Sequence, residues 1–129
     1  MSWRRGVIWL VGAILAVLTA CAVLVLVESQ TKFVRRLVDN VLYDNRNHYL
    51  PCEQLPPLAE VERVLEEHQD VIQRIEAVNP GYVGVDVNVC EGGNADITFW
   101  YGSHAERKAI EQIIGSDTFF GVPYNLNNR

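Results

Sequence analysis

The hydrophobic positions of the chain fall into three patterns, and each pattern predicts a different kind of element. An unbroken apolar run covers Val7–Val27 and contains neither a charge nor a proline. After it, apolar residues recur every three or four positions, which is the period of an amphipathic helix. Later they alternate with polar residues, which is typical of a half-buried strand. The patterns predict a membrane anchor over 1–28, a membrane-proximal helix and linker over 29–56, and an α+β domain over 57–129.

The apolar run is long enough to be a membrane-spanning helix. A helix over Val7–Val27 rises about 31 Å, which matches the hydrocarbon core of a bilayer. Arg4 and Arg5 precede it, as they would in a secretory signal, so it is retained as a signal anchor, cleaved near Ala20, or lipidated at Cys21. The segment Leu18–Cys21 looks like a bacterial lipobox. Retention is the preferred interpretation because apolar residues continue beyond Cys21, which is then a small apolar residue in the membrane.

The charges that flank the run predict its orientation. The amino side carries Arg4 and Arg5, and the carboxyl side carries Lys32, Arg35 and Arg36, diluted by Glu28 and Asp39. The positive-inside rule gives the first flank the greater weight. We therefore expect a single-pass cell-membrane protein with its amino terminus inside and its C-terminal domain extracytoplasmic.

A short amphipathic helix is predicted next to the membrane, over Thr31–Tyr43. Its apolar residues are Phe33, Val34, Leu37, Val38, Val41 and Leu42. Three placements remain open for this stripe: against the domain as a stalk, on lipid headgroups, or against a partner helix. Asp44–Pro57 then forms a linker, within which His48–Glu53 could pair as a short edge strand.

The domain begins with the strongest helical signal of the chain. A continuous apolar stripe runs from Leu58 to Val78 and includes His68, and Pro57 suits the first turn. The alternation over Tyr82–Cys90 and Ala95–Tyr101 predicts a hairpin. Its apolar positions are Val83, Val85, Val87 and Val89 on one strand, and Ala95, Ile97, Phe99 and Tyr101 on the other.

The rest of the domain is predicted as a helix and a strand. Ser103 and Glu106 have the spacing of a capping box, and Gly115 ends the helix that they begin. Thr118–Val122 is predicted as a third strand, with Pro123 confining it to an edge or ending it. The order is then α-β-β-α-β, with two helices on one face of a three-stranded sheet and the third strand parallel to the second.

One addition would change the type of fold. If His48–Glu53 formed a strand, the order would become βαββαβ, which is the ferredoxin-like arrangement. An anchor, a short helix and such a domain are similar in layout to membrane-assembly subunits of bacterial secretion and pilus machines. That layout does not fix a function.

The charge of the chain is unevenly distributed. Up to Pro56 there are six basic and four acidic residues, a net charge of +2, whereas from Pro57 onward five basic and twelve acidic residues give −7. The acidic domain would repel phosphate backbones, so nucleic-acid binding is not expected. The positive charge lies beside the membrane, where anionic headgroups would attract it.

Cys52 and Cys90 are the domain's candidate disulfide. Apart from Cys21 in the apolar run, they are the only cysteines in the chain. An extracytoplasmic domain lies in a compartment that permits disulfides, and a bridge would pin the linker to the end of the hairpin. In a cytoplasmic domain they would instead be two free thiols.

No metal or cofactor site is expected from the sequence. The candidate ligands have no metal-binding spacing and do not match a calcium loop; they are His48, Cys52, His68, Asp86, Asn88, Glu91, Asp96 and His104. His68 lies on the apolar stripe, where packing is the more common role. A phosphate loop and a nucleophile elbow are both absent. Ser103 and His104 are adjacent, which is not the geometry of a catalytic triad.

One polar face of the hairpin is the candidate partner-binding surface. Its residues are Tyr82, Asp86, Asn88, Asp96, Thr98 and Trp100. A tryptophan beside a tyrosine with polar neighbours is typical of an interface hot spot, unless the C-terminal tail or the membrane-proximal helix covers Trp100. The sheet edge could also accept a partner strand.

The expected function is therefore docking onto a partner within a membrane complex, without catalysis. Two alternatives remain open. One is a ligand-binding or sensor module with a pocket beneath the tail, near Phe120 and Tyr124. The other is a small hydrolase, which would need a cleft that unites His104 with a carboxylate.

Overall fold

The computed structural model describes residues 2–129, which form two compact units. The first unit ends at Arg36 and the second runs from Leu37 to Arg129. Helix α1 (Ser2–Thr31) makes up most of the first unit, and helix α2 (Phe33–Val41) contains the boundary. All the strands lie in the second unit.

Helix α1 is a single apolar helix that extends beyond the apolar run at both ends. It is the one helix of the described residues that is long and apolar enough to span a membrane, and its apolar side chains are exposed. The Thr19 hydroxyl donates to the carbonyl of Leu15 at 2.8 Å. The helix therefore satisfies this hydroxyl itself, which is compatible with a membrane-spanning segment.

Helix α2 is shorter than the predicted Thr31–Tyr43. Lys32 separates it from α1 and has a positive φ of 53°. The Glu28 carboxylate accepts the backbone N–H groups of Val34 at 2.7 Å and Arg35 at 3.1 Å. A carboxylate of α1 thus caps the start of α2, where free N–H groups favour a negative charge.

The linker contains no strand, so the ferredoxin-like alternative is wrong. Cys52–Gln54 forms a 3₁₀ helix, and the linker makes two isolated antiparallel bridges, Arg46 with Leu126 and Pro57 with Asn94. The side chain of His48 instead bonds to polar groups of the sheet and of the linker. These bonds hold the segment without the ladder that a strand would need.

The predicted single helix after Pro57 is two helices. Helix α3 (Leu58–Glu67) and helix α4 (Gln69–Glu76) meet at His68, which has non-helical dihedral angles of −118° and 34°. The His68 ring stacks on Phe120, with the ring centroids 3.4 Å apart. Since no glycine or proline marks the break, we attribute it to this long-range packing.

The hairpin prediction is confirmed. Strand β1 (Gly84–Val89) pairs antiparallel with strand β2 (Ala95–Tyr101) in continuous register. Gly92 and Gly93 in the turn have φ values of 97° and 86°, which glycine adopts without steric cost.

The elements after the hairpin follow the predicted order but not the predicted strand boundaries. Helix α5 (His104–Ile114) is capped by Ser103, whose hydroxyl accepts the Glu106 N–H at 3.3 Å. The predicted strand Thr118–Val122 is in fact two strands, β3 (Thr118–Phe119) and β4 (Val122–Asn128). Phe120 and Gly121 both have positive φ, as a tight hairpin turn requires.

The sheet therefore has four strands rather than three, in the order β1-β2-β4-β3. Strand β4 runs parallel to β2, as predicted for the strand that follows the second helix. The apolar face of the sheet and helices α3, α4 and α5 bury one core. The core residues are Val61, Val64, Ile72, Ile75, Val83, Ala95, Ile97, Phe99, Tyr101, Ile110, Phe119, Val122, Tyr124 and Leu126.

Candidate functional site

The register of the sheet brings most of the predicted partner-binding residues onto one face. Directly paired residues point to the same side of a sheet. The paired positions are Gly84 with Trp100, Asp86 with Thr98, Asn88 with Asp96, and Thr98 with Asn125 of β4. Tyr82 lies in the turn before β1 and is 70% exposed. We call this surface the polar face.

One end of the polar face is covered, contrary to the expectation of an open surface. Asp96 and Thr98 are only 8% and 6% exposed. The linker residue His48 lies against them, with its Nε2 2.8 Å from Asp96 Oδ2. The Asn88 amide donates to Asp96 at 2.9 Å and to Thr98 at 2.6 Å. Asn125 also donates to Asp96, at 3.1 Å.

The charge of Asp96 is stabilised by these donors. Burial alone raises the pKa of the Asp96 carboxyl. Hydrogen bonds from His48, Asn88 and Asn125 outweigh the burial and hold that pKa below its usual value. The covered end is therefore an ionised carboxylate inside a satisfied polar network.

The hydrogen bonds of His48 assign its tautomer. Its Nδ1 lies 2.9 Å from the backbone N–H of Leu50 and can only accept that bond. Its Nε2 therefore carries the proton and donates to Asp96. Both ring nitrogens are occupied, so neither is open to a substrate in this arrangement. The histidine holds the linker on the sheet.

The other end of the polar face is more exposed and is called the open end, although Trp100 itself is partly buried and the tail residue Arg129 lies over its ring. The Arg129 guanidinium donates to Asp86 at 2.8 Å and lies 5.6 Å from the centroid of the Trp100 ring. These contacts leave the side chains of Arg129 and Asp86 54% and 45% exposed. Trp100, Arg129 and the exposed Tyr82 just before β1 are the residue types that dominate interface hot spots.

The Trp100 ring packs against its paired residue, Gly84, which has no side chain. A Cβ added to Gly84 would lie 2.3 Å from the Trp100 ring, so only glycine fits there. Beside the ring runs a groove of about 480 Å³, from the end of α4 to the start of β1. Its lining residues are Glu76, Ala77, Pro80, Gly81, Val83, Gly84, Val85 and Trp100.

A disulfide joins Cys52 to Cys90, with 6.2 Å between the Cα atoms. It ties the 3₁₀ helix of the linker to the end of β1. The Asn94 side chain donates to the carbonyl of Cys52 at 3.0 Å across the same junction. The disulfide closes a loop with a sequence separation of 38 residues, and by reducing the entropy of the unfolded chain it stabilises the fold by about 4 kcal/mol.

The remaining candidate ligands are separated from one another. Residues 2–129 contain no group of three His, Cys, Asp or Glu side chains placed to hold a metal. His68 packs on Phe119 and Phe120, as expected for a histidine on an apolar stripe. Ser103 is a helix cap, and His104 Nδ1 lies 2.7 Å from Asp44 Oδ1.

His104 thus meets a carboxylate, but one that already has a partner. Arg107 Nη1 lies 2.8 Å from the same Asp44 oxygen, Nη2 donates to Asn40 at 2.6 Å, and Nε donates to Glu111 at 3.2 Å. Burial raises the pKa of Asp44, but the hydrogen bonds from His104 and Arg107 outweigh it and lower that pKa. We call Arg107, its three partners Asp44, Asn40 and Glu111, and His104 the arginine cluster.

Sequence reasoning did not identify the arginine cluster. Arg107 is only 4% exposed, and it falls on the same helical stripe as Ile110 and Ile114. A charge on an apolar stripe indicates a buried residue with a partner. Its partners Asn40 and Asp44 are more than sixty residues away, at separations of 67 and 63, so the sequence could not identify them.

The chain matches no protein-family model, no curated protein and no solved structure.

Proposed function

We propose that the protein is a single-pass membrane protein whose domain lies outside the cytoplasm and docks onto a partner protein, as an accessory subunit of a membrane complex. The observation that carries the proposal is the open end of the polar face, where Arg129 lies over the Trp100 ring and the exposed Tyr82 lies two residues before Gly84, the residue paired with Trp100. Helix α1 is long enough to be the anchor, and the Cys52–Cys90 disulfide suits an oxidising compartment.

The expected partner presents an apolar side chain to the groove beside Trp100 and a polar rim to Arg129 and Asp86. The patch shares β1 and β2 with Asp96, Thr98 and Asn88, which hydrogen bonds hold together at the covered end, so we expect it to be rigid. A rigid patch loses little conformational entropy on binding. Neither the His48–Asp96 pair nor the His104–Asp44 pair has a nucleophile and a free base together, which favours binding over catalysis.

Trp100→Ala tests this function in the full-length protein. A hot-spot tryptophan contributes at least about 2 kcal/mol to binding, so partner recovery after gentle detergent extraction should fall by about thirtyfold. Quantitative mass spectrometry of the co-purified proteins measures the loss. Tyr43→Ala is the matched control, since Tyr43 is an exposed aromatic residue of the same unit that lies off the polar face. A partner set that both variants retain would contradict the proposal, provided that circular dichroism shows both to be folded.

The groove beside Trp100 also supports a second function, a ligand-binding module. Its volume of about 480 Å³ lies within the range of small-molecule sites. It is not the pocket expected beneath the tail, where Tyr124 is buried and Phe120 stacks on His68. A ligand in the groove would shift the indole NMR signal of Trp100 and leave those of Trp3 and Trp9 unchanged.

A further inference from the structure

The outer side of β1 is an unpaired strand edge among residues 2–129, because β1 is the first strand of the sheet. The Cys90 N–H donates across the hairpin to the Asn94 carbonyl at 2.9 Å. In an antiparallel pair, alternate residues direct their backbone groups to opposite sides. The backbone N–H and C=O groups of Val85, Val87 and Val89 therefore point outward. We call this the open edge.

The open edge lacks the features that normally prevent strands from pairing. Exposed edges usually carry a proline, a lysine or a bulge, or are very short. Strand β1 has six residues, GVDVNV, in unbroken register with β2. Its one charge, Asp86, is paired with Arg129. Val89, at the end of the strand, leaves 54% of its surface exposed.

We propose that the open edge pairs with the open edge of a second copy of this chain, antiparallel about a two-fold axis at Val87. Outward-pointing residues then face each other, Val87 opposite Val87 and Val85 opposite Val89 of the second copy. Each such pair exchanges two backbone bonds, about six in all. The two sheets become one continuous sheet, as in other strand-addition interfaces.

The side chains of β1 favour a second copy in this register. The exposed Val89 is covered by Val85 of the second copy on the apolar side, and buried cross-strand valine pairs stabilise a sheet. On the polar side Asp86 meets the neutral Asn88 of the second copy. Centring the pair on Asp86 would place two carboxylates opposite each other, and centring it on Asn88 would leave Val85 without a partner valine.

The pairing goes beyond the proposed function because it uses the backbone of β1 and neither Trp100 nor Arg129, although Asp86 and Val85 belong to both surfaces. Its test compares two matched substitutions in the full-length protein in detergent micelles. Val89→Lys introduces a charge on the open edge, whereas Val41→Lys introduces the same charge on α2, where Val41 is 66% exposed.

We expect the native protein and Val41→Lys to be dimers by light scattering, and Val89→Lys to dimerise at least tenfold more weakly while remaining folded. A monomeric native protein would overturn the proposal. So would a dimer that Val89→Lys leaves intact, or one that only Val41→Lys dissociates, because that dimer forms through α2 or the anchor.

A cysteine crosslink tests the register. Residues directly opposite in such a pair have Cα atoms about 5.5 Å apart, within the range of a disulfide. We expect Val87→Cys to form a covalent dimer on mild oxidation, with mass spectrometry showing an 87–87 linkage. Gln73→Cys, on the exposed side of α4, is the control for chance collisions. Equal crosslinking of the two variants would overturn the two-fold pairing at Val87.

Discussion

The two sides of the sheet differ in how their outer strands are covered. On one side, the outer edge of β4 is covered by β3 at Val122 and Pro123 and by the linker at Leu126, where Arg46 exchanges two backbone bonds of 2.9 and 2.7 Å. On the other side, no strand of residues 2–129 pairs with the outer edge of β1. We call the covered side of β4 the closed edge.

The comparison shows that a sheet edge can be closed without a long strand. The closing segment makes one bridge, and polar side chains hold it on both sides of that bridge. The Asn45 side chain accepts the Asn128 N–H at 2.7 Å, and the Asn125 side chain accepts the His48 N–H at 3.2 Å. Arg46 itself forms ion pairs with Asp117 and Glu111. The open edge has no such segment, so its backbone groups remain available for association.

The largest expected effect comes from breaking the arginine cluster next to the closed edge. Arg107→Met leaves the partly buried Asp44 carboxylate with His104 but without its guanidinium, so the free energy of unfolding should fall by about 3 kcal/mol. Urea unfolding followed by tryptophan fluorescence measures this loss. Arg63→Met is the matched control, because Arg63 pairs with Glu67 at 2.8 Å on an exposed surface, and such pairs contribute about 0.5 kcal/mol. Equal losses of stability in Arg107→Met and Arg63→Met would show that the arginine cluster does not stabilise the linker segment around Arg46.

A smaller loss of stability is expected at Asp96, where the linker residue His48 bonds to the polar face. Asp96→Asn removes the charge that accepts bonds from His48, Asn88 and Asn125 and should cost about 2 kcal/mol at pH 7. Asp70→Asn, on the surface of α4, should change stability by less than about 0.5 kcal/mol.

The pH dependence of stability, compared between the native protein and Asp96→Asn, shows whether the ionised form of Asp96 stabilises the fold. The pKa of Asp96 is lowered in the folded protein, so its stabilisation is complete above the unfolded value of about 3.9 and is lost as pH falls through the folded pKa. Below pH 4 the native protein should lose stability more steeply than Asp96→Asn. Parallel curves would contradict the assignment of that stabilisation to Asp96.

The smallest expected effect is a difference in hydrogen-exchange rate between one backbone amide at the open edge and one at the closed edge. The Leu126 N–H donates to Arg46 at 2.7 Å, whereas the Val87 N–H points outward. In monomeric Val89→Lys we expect the Val87 amide to exchange at least about a hundredfold faster than that of Leu126. NMR hydrogen exchange measures both rates. Equal protection of the two amides in that variant would mean that the open edge is covered within one chain.

Local patterns in the sequence were sufficient to predict the hairpin and the approximate positions of the helices, because short-range periodicity marks those elements, but they did not give the break at His68 or the bounds of α2. The alternation through Val122, Tyr124 and Leu126 also signalled β4, but Pro123 led to a strand that ended too early. Strand β4 tolerates this proline since its pairing with β2 begins one residue later, at Tyr124.

The features that the sequence could not predict depend on residues far apart in the chain. The break at His68 follows from stacking on Phe120, which adopts the left-handed backbone conformation that few side chains tolerate. The cover over Asp96 comes from His48, across 48 residues. The predicted face was therefore identified by its alternation, but which end of it is open depends on the path of the linker.

The distribution of the three cysteines has a consequence for oxidative folding. Cys21 lies within the apolar helix, and the second unit contains only Cys52 and Cys90. Two thiols allow one intradomain pairing, whereas four would allow three. In an oxidising compartment the domain therefore requires a thiol oxidant but no disulfide isomerase to reach its native connectivity.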